Sequence, residues 1–198
     1  MNIEEELRAT IKNITENYKD ELTSGWIAGN GPIPTEILFI GESPGRTEVE
    51  QGIPFVGMTG KTFEEYLNSI ELKKSDIRIT NVCYFRPIKI KQGTTGNKSV
   101  SNRTPTPLEV DLFREVLDKE IAAVNPKIIV TLGNTPLRRF TESQSIGRCH
   151  GLLMYSEKLD KYVFPMYHPS ALTYNRTEDF LQTYKNDWNK LKRALRLI

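Results

Sequence analysis

A chain of 198 residues with 38% hydrophobic content has room for one domain, residues 1–198, with one sizeable core, and excludes both a second domain and a disordered polymer. A formal net charge of +2 and a pI near 8.4 exclude a strongly basic nucleic-acid coat, yet permit one basic face on a balanced protein. Cys83 and Cys149 lie far apart without CxxC spacing, which leaves neither a disulfide framework nor a four-thiolate metal site within the chain and favours a reducing, cytoplasmic setting. The first residues are charged throughout with no apolar leader core, and no run approaches the length of a membrane span, so no membrane association is expected.

In chain order, Ile3, Leu7, Ile11, Ile14, Tyr18 and Leu22 recur at spacings of three and four, which predicts an amphipathic helix ended by Gly25, Gly29 and Gly31. EILFIG (36–41) predicts the first strand. Phe63, Tyr66, Leu67 and Ile70 predict a helix over 61–70, and IRITNVC (77–83) a second strand. The stretch 88–103, IKIKQGTTGNKSVSNR, reads as a polar loop, either a solvated insertion or a flap that contacts phosphate. Thr106-Pro107 opens a helix over 108–124, KIIVTLG (127–133) is a third strand, and Asn134-Thr135-Pro136 starts a short helix with proline in its first turn. Arg138 and Arg139 suit the end of that helix. YVFPMY (162–167) is the fourth strand, and Tyr184, Trp188, Leu191, Leu195 and Ile198 mark a closing helix. Three of the four apolar runs are continuous and β-branched, as parallel strands covered on both faces must be. The alternation predicts an α/β fold: a three-layer α/β/α arrangement around a central, mostly parallel four-stranded sheet.

Between the first strand and its helix lies GESPGRTEVEQGIPFVGMTG (41–60), far longer than a connector requires. It supplies Glu42, Glu48 and Phe55; the second strand ends at Asn81; the fourth leads into His168-Pro169-Ser170. Each residue alone has an ordinary explanation, as a solvent-facing acid, a core aromatic, a turn former or a surface histidine. All lie, however, at the carboxyl ends of parallel strands, where open α/β sheets bind ligands. A carboxylate, an amide, an aromatic face and an imidazole there suit a flat, hydrogen-bonding ring. A plain nucleotide-binding domain fits poorly, because GESPG has neither the GxGxxG nor the P-loop lysine pattern. Cys83, Cys149 and His150 read as small core residues and a loop histidine.

GESPG, QGIPFVG, ITNVCYFRP, NRTPTPLE, IIVTLG and YHPSAL occur in the order and approximate spacing of the uracil-DNA glycosylase superfamily, over roughly residues 35–175. The nearest branch is similar to the bacterial and archaeal family-four enzymes, which excise uracil from DNA. The resemblance implies a monofunctional glycosylase of base excision repair that acts on DNA carrying uracil; a monomer is expected, since one compact domain acting on DNA needs no partner. By the same resemblance, Glu42 lies near the attacking water and Glu48 beside the 5-position of the base. Phe55 stacks on the flipped base, Asn81 binds its Watson-Crick edge, and His168 faces O2. Ser170, Ala171 and Leu172 contact phosphate and wedge into the duplex, while the amides of Gly57 to Gly60 hold a flanking phosphate. Two alternatives stay open: a glycosylase for a modified pyrimidine such as 5-hydroxymethyluracil, and a non-catalytic module that binds DNA or protein.

Family-four enzymes hold an iron-sulfur cluster with four cysteines. At two of those places this chain has Phe85 and Phe113, and the N-terminal pair is missing, so the expectation is no cluster, no metal and a hydrophobic patch in its stead. The histidine that one branch of the superfamily uses for covalent attachment has no counterpart in the 88–103 stretch, since the chain's two histidines are His150 and His168.

Overall fold

In chain order the elements are α1 (Ile3–Asn17), β1 (Thr23–Trp26), β2 (Ile37–Gly41), α2 (Arg46–Gln51), α3 (Gly57–Ser69), β3 (Arg78–Asn81), β4 (Phe85–Gln92), β5 (Lys98–Asn102), α4 (Pro107–Leu112), α5 (Arg114–Val124), β6 (Ile128–Leu132), α6 (Asn134–Phe140), β7 (Met154–Ser156), β8 (Lys161–Met166), α7 (Ala171–Tyr174) and α8 (Glu178–Ala194). The structure, a computed structural model, describes residues 2–19, 21–92, 97–142 and 145–198.

The central sheet has the order β3-β2-β6-β8-β7. Its first four strands are parallel and fully in register, with Gly41 beside Asn81 and Leu132 beside Met166, so their carboxyl ends form one rim. Side-chain alternation explains the three layers. Leu38 and Ile40 of β2 pack with Leu7 and Ile11 of α1 and with Val116, Leu117 and Ile121 of α5. Ile37 and Phe39 point the other way, onto Phe63 and Leu67 of α3 and Tyr184, Trp188 and Leu191 of α8. Every residue of β2 and β6 is buried, as the continuous apolar runs require. No helix among the described residues is long and apolar enough to cross a membrane.

Five expectations need correction. The sheet has a fifth strand, since β7 turns back antiparallel onto β8 through Glu157–Asp160; three residues are too few to show a period. Residues 88–103 are not a loop: β4 and β5 pair from Ile88↔Asn102 to Gln92↔Lys98 in a hairpin, and with β1 they form a second, three-stranded sheet. Gly93 to Gly96 of that stretch lie outside the described residues. The first helix stops at Asn17, where Tyr18 turns extended, and its former partner Leu22 is exposed. The 108–124 helix breaks at Phe113, whose ψ of 8° lets the buried ring turn inward. The helix expected over 61–70 starts at Gly57 rather than Lys61.

Candidate active site

The rim begins with a glycine. A methyl group on Gly41 would lie 2.5 Å from Asn81 Oδ1 and 3.3 Å from the Phe55 ring, so the absence of a side chain lets amide and aromatic converge over the end of β2. Asn81 is 4% exposed, and among the described residues no protein group takes its amide as a partner. A buried amide with free donors and an acceptor is costly unless something else satisfies it.

Phe55 sits at φ 52°, a left-handed conformation that a bulky residue adopts only when its surroundings impose it. Three contacts do so. Its N–H donates to Glu48 Oε1 at 2.5 Å, its carbonyl accepts from Lys74 Nζ at 2.9 Å, and Gly60 of α3 approaches so closely that a methyl group there would stand 2.1 Å from the same carbonyl oxygen. The buried ring packs on Phe63 at 4.8 Å and faces His168 with a centroid distance of 5.6 Å. The second oxygen of Glu48 accepts from Gly45 N–H, also at 2.5 Å. Glu48 therefore ties both ends of the loop together, and each of its oxygens is taken by backbone. Burial pushes its pKa up, opposed by those two amides and by Lys74.

Glu42 follows Gly41 directly. Its Oε2 accepts from the hydroxyl of Thr135 in the first turn of α6 at 2.5 Å, which fixes the carboxylate across two strand ends. In the sequence Thr135 marks only a helix start; no periodicity signals a bond to a residue 93 positions away.

His168 leaves the end of β8. Ser170 N–H donates to its Nδ1 at 3.2 Å, and Ser170 Oγ lies 2.7 Å from the same nitrogen. Nδ1 is thus the acceptor, and the neutral ring carries its proton on Nε2. Part of the ring stays open at the rim, but enclosure by protein lowers its pKa to about 4, so the neutral form persists at physiological pH. Gly133, whose φ of 92° favours glycine, turns the chain beside His168 at the end of β6.

The remaining candidates frame this rim. Gly57 starts α3 at φ 70°, whereas Gly60 is buried and serves the approach to Phe55. Ser170 precedes the short α7, where Ala171 and Leu172 N–H donate to His168 and Pro169 carbonyls. Leu172 and Pro169 line a cleft of about 200 Å³ together with Met58, Thr59, Thr173 and Arg176. Met58 and Tyr174 stand exposed at 77% and 88%, large apolar groups beside the rim. His150, read as a loop residue, is in fact paired: its Nδ1 lies 2.6 Å from Oδ2 of the buried Asp187, and its ring packs tilted against Tyr167 at 4.7 Å.

The residues at the expected cluster positions do not suit an iron-sulfur group. Phe85 and Phe113 meet edge to face at 5.2 Å, Tyr18 stacks on Phe85 at 5.2 Å, and Tyr84 packs on Phe113 at 5.3 Å, an apolar layer without a thiolate. Cys83 is buried, its thiol pushed well up by desolvation and directed at the Phe85 carbonyl, while Cys149 belongs to a separate small core with Leu137 and Ile146. Among the described residues no three metal-ligating side chains come together.

A parallel α/β/α sheet that gathers an amide with no protein partner among the described residues, an aromatic face, a carboxylate and a neutral imidazole on one rim presents a pocket suited to a flat, hydrogen-bonding ring. A model of the uracil DNA glycosylase superfamily matches residues 28–192, and the chain belongs to that superfamily. It is similar to the type-4 uracil-DNA glycosylases of Archaeoglobus fulgidus, 34% identical over 85% of this chain and 81% of the relative, and of Thermotoga maritima, 34% identical over 84% and 81%. That of Saccharolobus solfataricus is 33% identical over 85% and 76%.

Proposed function

We propose that the protein is a uracil-DNA glycosylase: it extrudes uracil from DNA and hydrolyses its N-glycosidic bond, the first step of base excision repair. The observation that carries this reading is His168, held neutral with a proton on Nε2 and facing the ring of Phe55. As the bond between N1 and C1′ breaks, its electron pair leaves with the base, and negative charge spreads to O2. A neutral donor stabilises that charge without first having to lose a proton. Asn81 offers a donor and an acceptor to the uracil edge. Its burial makes rejection of a mismatched edge severe, because the amide is then left unpaired. Phe55 stacks on the base, and the loop that strains it pre-organises the pocket floor. Glu42, oriented by Thr135, positions the water whose oxygen bonds to C1′ and lies beside the positive charge that grows on the sugar. Extrusion costs a few kcal/mol of stacking and pairing, which contacts from Ser170 to Leu172 and from the first turn of α3 help to offset. In this reading Glu48 acts from beneath, as the group that holds Phe55 in place next to the 5-position. The protein works as a monomer and without a cluster. The test is release of free base from oligonucleotides that carry uracil, thymine or 5-hydroxymethyluracil. Release of uracil is the expected result; release confined to the modified base overturns this reading.

A further inference from the structure

The β4–β5 hairpin is absorbed by neither the core nor the pocket. β1 pairs with β4 only at Phe85 and Pro87, so beyond that point β4 and β5 continue as a two-stranded ribbon. Such ribbons are at best marginally stable alone. The largest apolar pair of this one, Ile90 opposite Val100, is 47% and 53% exposed. Residues 85–103 contain Arg86, Lys89, Lys91, Lys98 and Arg103 and no acid, although the chain as a whole has 27 basic and 25 acidic residues. Arg103 is paired with Glu109, but Lys89, Lys91 and Lys98 are exposed and have no carboxylate partner among the described residues. The base of the ribbon adjoins the catalytic rim. Arg86 Nε donates to Asn102 Oδ1 at 2.7 Å, and a methyl group on Gly45 would sit 3.6 Å from Asn102 Nδ2. Ile90 and Val100 share strand parity with Arg86 and Asn102 and so project from the face that turns toward the GESPG loop.

We propose that this ribbon is a DNA-binding arm that lies in the major groove of the duplex flanking the extruded nucleotide, its lysines on phosphates and the Ile90–Val100 pair against the groove floor. The inference rests on the glycosylase reading. A two-stranded ribbon fits that groove. Five residues of strand place Lys91 roughly 17 Å from Arg86, a reach of a few nucleotides beyond the pocket. Strong twist, typical of isolated ribbons, turns lysines from both faces toward the groove walls. An arm that is acid-free on an otherwise slightly acidic chain is complementary to a polyanion, and binding supplies the burial that the free ribbon lacks.

The test measures binding to duplexes that carry a non-cleavable 2′-fluoro-uracil nucleotide as salt is raised from about 50 to 200 mM, for the parent and for Lys89→Ser/Lys91→Ser/Lys98→Ser. Three lost phosphate contacts should reduce the slope of log affinity against log salt by about 3. The ratio of kcat/KM on a long duplex to that on a short single strand should fall about tenfold or more. Ile90→Ser/Val100→Ser should lower the same ratio with the slope kept. Arginine at the three lysine positions should restore the slope. A parent that releases uracil, with serine variants that keep its slope and its duplex preference, overturns the arm and leaves the glycosylase standing. A parent that binds no DNA overturns both.

Discussion

Asn81 and Phe85 are four residues apart, yet the regions they belong to are built by opposite means. At the rim, polar groups hold one another: Glu48 and Lys74 grip the Phe55 backbone, Thr135 orients Glu42, and Ser170 sets the tautomer of His168. Under α1, Tyr18, Phe85 and Phe113 meet through their rings, Tyr18 stacked on Phe85 and Phe85 edge to face with Phe113. The rim gathers the groups to which the proposed function gives roles in base release, while the aromatic layer stands where the family resemblance leads one to expect thiolates. The contrast sets a layer held by ring packing against a rim held by hydrogen bonds, two solutions in one chain to fixing neighbouring strand ends.

The largest effect that sharpens this comparison is on folding. Phe113→Ala should destabilise the protein by about 3–5 kcal/mol, the cost of a cavity in a close-packed aromatic layer, while the folded fraction keeps its uracil-release rate; thermal melting with activity at low temperature reads both. Next comes His168→Ala, with a loss in kcat of about 10²–10³-fold and an unshifted melting curve at neutral pH. Thr135→Val removes one hydrogen bond to a charged group and should cost roughly tenfold in kcat.

The pH dependence follows from His168. Its folded pKa of about 4 lies below the unfolded value of 6.5, so between these values the unfolded chain binds more protons. Stability from this group is complete above 6.5 and is lost as pH falls toward about 4. Melting temperature should drop through that window in the parent and less in His168→Ala. The smallest expected effect is none: dialysis against a chelator should leave uracil release intact, and freshly purified protein should lack stoichiometric iron and sulfide.

Much of this was legible in the sequence, for definite reasons. β2, β6 and β8 are apolar runs buried on both faces, and a long glycine- and proline-bearing insert after β2 cannot be a simple turn. What the sequence hides depends on partners distant in the chain. The β4–β5 ribbon alternates Ile and Lys opposite Ser and Val, a pattern of a strand pair half in water, and so reads as polar coil. Phe113 breaks a helix because its ring is drawn into the aromatic layer. Thr135, Lys74 and the pairing of His150 with Asp187 are visible only once the strand ends are assembled. Glu48 stands out in the sequence as a candidate, but its two backbone bonds do not.

The central claim is that neutral His168 and buried Asn81 together make the pocket catalytic. The most direct measurement is single-turnover release of uracil from an oligonucleotide, single-stranded and opposite guanine, by the parent, His168→Ala and Asn81→Ala. Rapid release by the parent with losses of at least about 10²-fold in His168→Ala and about 10-fold in Asn81→Ala is the predicted result. A folded parent that leaves uracil in place, or variants as fast as the parent, would contradict it.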